Sequence, residues 1–185
     1  MPGSGIWTGG WRIGGIVNAR SGVPINVVQS RPDNITVNGV TVVNIPGGNS
    51  RGTQRPDVVP GVSPYLQSAG VRYLNPAAFA TPQPGTFGNL PRNYLRGPEF
   101  AQFDLMFSKD FRFMANQGMQ IRIELFNIAN RLNYENPAAT LPNGAPGVPL
   151  TDAQAGTFGY MLGPLNRTVG LGTARQTQVS LRYTF

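Results

Sequence analysis

Two carboxylates, Asp104 and Glu124, sit on successive extended segments of this chain and could meet across a strand pair, the juxtaposition that acid–base chemistry between carboxyl groups needs. Arg122 and Arg182 have the same parity, so a ladder of ion pairs is the reading these four residues favour over a catalytic dyad. The chain contains no histidine and no cysteine, which removes His-based triads, thiol nucleophiles, disulfides and zinc–thiolate sites from its repertoire. Its serines and threonines therefore lack an imidazole base, and Lys109 is the one lysine. Asp33, Asp57 and Asp152 lie in turn-rich stretches without the ligand spacing of a calcium loop. The glycines of Gly170-Leu171-Gly172 are too few for a phosphate-binding fingerprint. We expect no enzymatic activity, no cofactor and no metal site.

The elements that position these residues are read from composition first. Charged residues make up 12% of the 185, against about 25% in ordinary soluble domains. The net charge of +7 comes mainly from scattered arginines with no basic cluster, so no nucleic-acid partner is expected. No apolar run approaches the roughly 18 residues of a spanning helix, and "MPGSGIWTGGW" has neither the basic nor the apolar region of a signal peptide. With 24 glycines and 17 prolines, the chain is built for turns and extended segments and against a helical bundle.

Four extended segments emerge. Gly9 to Val28 alternates through Trp11, Ile13, Val17 and Ala19; Ile16 breaks the pattern, Gly14 and Gly15 call for close packing or a bend, and Ser21-Gly22 marks a kink before Ile25 and Val27. Phe100 to Phe111 puts Phe103, Leu105 and Phe107 opposite Gln102, Asp104 and Ser108. Gly118 to Phe126 puts Met119, Ile121, Ile123 and Leu125 opposite Gln120, Arg122 and Glu124. A helical stripe through Ile121, Leu125, Ile128 and Ala129 is the alternative there, but polar residues at every second position favour a strand. The last segment, from about Thr173, puts Thr177, Val179, Leu181, Tyr183 and Phe185 opposite Gln176, Gln178, Ser180 and Arg182. Between them run two long irregular connections, approximately 29–99 and 131–171. "PGTFGNLPRNYLRG" in the first is echoed by "AGTFGYMLGPLNRTVG" in the second, as if both returned to one rim in the same way.

Alternation admits a soluble sheet with one buried face, but a sandwich needs about seven short strands and only four segments are evident. A transmembrane β-barrel accounts for more: strands of about ten residues, apolar outside and polar inside, flanked by aromatics, with short turns at one end and long loops at the other. Trp11, Phe100, Phe111, Tyr183 and Phe185 lie near strand ends, where an aromatic girdle belongs. The expected fold is therefore all-β: about four long antiparallel strands of a transmembrane barrel, residues 1–185 forming one segment of it. Phe103, Leu105, Phe107, Met119, Ile121, Ile123, Leu125, Val179, Leu181, Tyr183 and Phe185 face lipid; Gln102, Asp104, Gln120, Arg122, Glu124, Gln178, Ser180 and Arg182 face the lumen.

A final alternating strand that ends on Phe, "TQVSLRYTF", resembles the terminal signal that bacterial outer-membrane proteins present to their barrel-assembly machinery, with Tyr183 and Phe185 as its aromatic residues. "GGWRIGGIVNARSGVPINV", "RPDVV", "LNPAAFATPQPGTFGNLPRNYLRGPEFAQFDLMFSKDF" and "MQIRIELFNIANRLNYENP", in that order, resemble the C-terminal end of TonB-dependent receptors of the Oar-like type that bears a carboxypeptidase-regulatory domain. The resemblance implies the bacterial outer membrane, a transporter barrel of about 22 strands with a plug, and coupling to the TonB system. Against such a protein the sequons at Asn34 and Asn166 carry no weight. Four strands cannot close a barrel, so the chain is expected to be a fragment or split product that joins the remaining barrel strands, or to pair its edges with copies of itself. The competing reading is an extracellular, self-associating β-rich subunit that assembles through those edges.

Overall fold

A computed structural model of the chain describes residues 8–47, 54–66, 71–114, 116–165 and 174–185. Its strands are β1 (Trp11–Arg20), β2 (Pro24–Ile25), β3 (Asn34–Val37), β4 (Val40–Val43), β5 (Asp57–Val58), β6 (Phe79–Ala80), β7 (Leu95–Arg96), β8 (Phe100–Met114), β9 (Gln117–Phe126) and β10 (Gln176–Thr184), with one 3-10 turn at Pro76–Ala78. They divide between two compact units: Met1–Ser21 with Glu99–Tyr134 and Pro164–Phe185, and Gly22–Pro98 with Glu135–Gly163.

The first unit is an open antiparallel sheet in the order β1-β8-β9-β10. β8 and β9 form a hairpin, since so short a connection leaves no room for a parallel crossover. The hairpin strands reach Met114 and restart at Gln117, so the expected turn at 112–117 is mostly strand, with a register irregularity between Arg112 and Met114. Residues 118–126 are strand throughout, and the helical alternative does not occur. β10 begins at Gln176; Thr173, Asn166 and Gly170 to Gly172 lie outside the described residues. Gly15 is tolerated within β1 because the cross-strand Leu105 side chain covers it: a Cβ there would come within 3.2 Å of Leu105 Cδ2.

Asparagines finish the sheet where β9 ends. Asn127 adopts φ 50° and its side-chain amide brackets the turn, donating to the Arg131 carbonyl at 2.8 Å and accepting from the Arg131 N–H at 3.1 Å. The Asn133 amide then pairs with Ala101 as a strand would: it accepts from the Ala101 N–H at 2.9 Å and donates to the Ala101 carbonyl at 3.1 Å. Two backbone groups at the start of β8 are thus satisfied without a neighbouring strand.

The second unit is irregular in secondary structure but has its own core. Ile25, Val27, Leu74, Phe79, Leu90, Leu95, Leu141, Leu150 and Phe158 are buried together, and Phe79 meets Phe158 edge-on at 5.6 Å. The expected single segment Gly9 to Val28 is therefore two: β1 ends at Arg20, while Ile25 and Val27 continue its alternation into this separate core. Gly22 marks the division; a Cβ there would collide with the Gly97 carbonyl, so only glycine allows the two backbones to approach. The two GTFG stretches do different work, because Phe158 is buried in the core whereas Phe87 is 62% exposed.

Arg31 organises the polar interior of this unit. Its guanidinium donates to the carbonyls of Thr86 (2.8 Å), Asn44 (2.9 Å), Pro82 (3.1 Å) and Gln83 (3.2 Å), and to Asn44 Oδ1 (2.7 Å). Burial pushes its pKa below the usual arginine range, and the charge of Asp57 partly offsets that. A planar fork with several donors can serve these diverging carbonyls, whereas a point-like ammonium cannot. Arg31→Met leaves buried acceptors unpaired and should cost about 3 kcal/mol or more; Arg31→Lys should recover only part of it. Hydrogen exchange checks this: both variants should lose protection in 22–98 and 135–163, while β8 and β9 keep theirs. Unchanged protection in 22–98 and 135–163 would show that the core does not depend on Arg31.

Candidate membrane-facing surface

Directly opposed residues in an antiparallel sheet project to the same side, so the register sorts every side chain. One face carries, row by row, Val17 with Phe103; Gly15 with Leu105, Leu125 and Thr177; Ile13 with Phe107, Ile123 and Val179; Trp11 with Lys109, Ile121 and Leu181; and Phe111 with Met119 and Tyr183. Phe185 follows at the same parity and stacks on Tyr183 at 6.2 Å between ring centroids. All eleven residues read as lipid-facing therefore share one surface. Nothing in the first unit covers it: Ile13, Val17, Val179 and Leu181 are each about 70% exposed or close to it, at 72%, 73%, 66% and 68%. A contiguous apolar surface of this kind marks an interface rather than a solvated face.

The other face carries Gln102, Asp104, Gln120, Arg122, Glu124, Gln178, Ser180 and Arg182, the residues read as lumenal. The register adds Arg12 and Asp110, which pair at 2.7 Å while Gln120 donates to Asp110 at 2.7 Å. Arg12 has the polar parity of its segment in the sequence, and Asp110 has the same parity as Gln102 and Asp104, a signal from which the pair could be found. Ile16, the break in the β1 alternation, stands opposite Asp104 on this face. Phe100 also belongs here rather than to an outer girdle; it is buried, with the Arg20 guanidinium 4.7 Å from its ring.

The proposed carboxylate pair does not form. Glu124 stands opposite Met106 and pairs with Arg122 at 2.8 Å, whereas Asp104 stands opposite Ile16. Asp104 instead accepts from Gln102 at 2.8 and 2.9 Å and from the Asn127 backbone at 2.7 Å, fixing the turn after β9. Arg182 stands opposite Gln120 and has no carboxylate partner among the described residues. Of the loop carboxylates, Asp152 pairs with Arg72 at 2.9 Å and Asp57 accepts from the Asn89 N–H at 3.0 Å, whereas Asp33 Oδ1 is buried without a hydrogen-bond partner.

Lys109 is the exception on the apolar face. Its neighbours across the strands are Trp11 and Ile121, and its ammonium lies 5.0 Å from the Trp11 ring centroid and 5.3 Å from that of Phe111. Every arginine in the sheet, Arg12, Arg20, Arg112, Arg122 and Arg182, has the opposite parity.

A family model described as an outer membrane beta barrel domain matches residues 5–178. No curated protein and no solved structure matches the chain. Among the described residues no helix is long and apolar enough to cross a membrane, which has no bearing on strands.

The absence of cysteine makes the two faces separately addressable. In membranes containing the chain, Ile13→Cys and Leu181→Cys should resist maleimides, because a thiol in hydrocarbon stays protonated, and should react once detergent and denaturant expose them to water. Ser180→Cys and Arg122→Cys should react with a membrane-impermeant maleimide once the lumen is accessible. Equal labelling at Leu181→Cys and Ser180→Cys would contradict this division of the faces.

Proposed function

The chain belongs to the outer membrane beta barrel domain family, and on that footing we propose that it forms part of the barrel of a TonB-dependent receptor, contributing lipid-facing strands and extracellular, substrate-receiving segments. It is an all-β protein of the bacterial outer membrane, and its four long strands do not close on themselves. The observation that carries the proposal is the two-sided sheet: an uncovered apolar face backed by a face of paired arginines and carboxylates. Such a sheet is stable in a bilayer when one side meets hydrocarbon and the other a wet lumen.

Three further observations support the finer assignment. The chain leaves the sheet after β1 and after β9 and returns at β8 and β10, all at the same end, while the β8–β9 turn, the start of β1 and the end of β10 lie at the other. The residues in those excursions make a packed unit rather than a slack tether, as a surface that receives a substrate requires. The ordered motifs from Gly9 to Pro137 resemble the corresponding part of TonB-dependent receptors. The reading is non-enzymatic, and its partners are outer-membrane lipid, further barrel strands, the barrel-assembly machinery and the TonB system. Tyr183 and Phe185 serve as the assembly signal.

The open edges of β1 and β10 favour a second reading, a self-associating extracellular subunit. Light scattering separates the two. The barrel reading expects the purified chain to need detergent to stay dispersed; ordered polymers formed without detergent would favour the subunit, and a stable detergent-free monomer would end both. Coupling has its own test. In the producing bacterium, uptake that needs both the gene and an intact inner-membrane gradient is expected, whereas gene-dependent uptake that survives a protonophore would make the barrel a passive pore.

A further inference from the structure

We propose that the outward face of the sheet holds a binding site for an acidic phospholipid, with Lys109 as the ligand for its phosphate. The inference rests on the membrane reading above and adds a ligand to it. Lys109 is the single lysine of the chain and the single charged side chain on the outward parity of the four strands. A lysine facing hydrocarbon costs roughly 2–4 kcal/mol at the midplane and about 0–1 near the interface. Its height on the sheet therefore decides whether it is tolerated or functional.

That height follows from strand geometry. On the outward parity the nearest charge toward the other end is Glu99, and Ala101, Phe103, Leu105 and Phe107 lie between the two. Ten residues at about 3.4 Å each, tilted by about 40°, rise roughly 26 Å, and the apolar band of such barrels is about 25 Å tall. Lys109 thus falls at the border of the hydrocarbon. Beyond it come Phe111, Phe113, Tyr183 and Phe185, the aromatic residues of an interfacial girdle.

The local chemistry suits a phosphate. Lys109 is buried as a whole, at 4% exposure, between Trp11 and Ile121; its ammonium donates one hydrogen bond, to the Gly9 carbonyl, and a ligand reaches it through the hollow that it helps to line. An ammonium has three donors, so two remain for an anionic oxygen. No carboxylate neutralises it among the described residues, since neighbouring Asp110 turns to Arg12 on the other face. A hollow of about 150 Å³ is lined by Lys109 itself and Ser108 together with Trp11, Phe107, Phe111, Ile121 and Ile123, mostly apolar walls suited to the first part of an acyl chain. An uncompensated cation above an apolar hollow selects a lipid with net negative charge over a zwitterionic one.

The test uses the full chain with Trp7→Phe, so that Trp11 alone reports. It is inserted into phosphatidylcholine vesicles containing a minor fraction of brominated phosphatidylglycerol or brominated phosphatidylcholine. Trp11 quenching should show a preference of about fivefold for the acidic lipid, as expected for one lysine at a charged surface. The preference should weaken with salt, persist in Lys109→Arg and vanish in Lys109→Met. A wild-type chain without preference, or a Lys109→Met chain that keeps it, overturns the proposal while leaving the barrel reading intact, because quenching by brominated phosphatidylcholine still reports insertion. Failure of the wild type to be quenched by either lipid overturns both.

Discussion

A backbone amide that meets hydrocarbon has no water to bond, so it must find its partner on a neighbouring strand. In this chain that demand is met by one register running across β1, β8, β9 and β10, and the same register decides which side chains face which way. The side-chain period of a strand is two, so a slip of one residue would carry Arg122 and Glu124 to the apolar face and Ile121 and Ile123 to the polar one. Each charged group on the polar face thus opposes misregistration. The ion pairs Arg12–Asp110 and Arg122–Glu124 contribute little stability as exposed pairs, but they fix the side on which the charges lie.

The same demand explains how the sheet ends. At the start of β8, Asn133 stands in for an absent strand by bonding both backbone groups of Ala101, and Asn127 turns the chain out of β9 with a left-handed backbone. Away from the sheet, the second unit has short two-stranded pieces and many carbonyls without a ladder, and Arg31 gathers four of them. In both units a side chain with several donors or acceptors does the work that a regular strand pair would otherwise do.

Much of the sheet was legible in the sequence because β9 and β10 alternate throughout and β8 does so from Gln102 to Ser108 apart from Met106, and alternation is a local signal. Antiparallel order followed from the short hairpin connection. What escaped depends on contacts that local pattern does not encode. Ile25 and Val27 continue the β1 alternation by residue type but are claimed by another core; Gly22 was the visible sign of the change. The core that joins Leu74, Phe79, Leu141 and Phe158 draws on segments separated by dozens of residues and punctuated by proline and glycine, so no periodicity announces it. The Asp104–Glu124 pairing failed because the strands run on to Met114 and restart at Gln117, which sets Glu124 against Met106. Lys109 shares the parity of Phe103, Leu105 and Phe107, so the sequence alone puts this charge on the apolar face.

The open edges impose a further rule. β1 is antiparallel to β8, β8 to β9 and β9 to β10, so the two edge strands run in opposite directions. A strand added beside β10 must oppose it, and each addition reverses direction again. For the growing sheet to meet β1 in antiparallel register, an even number of strands must be inserted between them. Closure with further barrel strands and closure with copies of this four-stranded sheet both satisfy that count, and both give the even total usual for bacterial barrels. An odd insertion would place two parallel neighbours at the seam and change the slant and spacing of the hydrogen bonds there. The strand directions thus restrict what can complete the sheet before any side chain is considered.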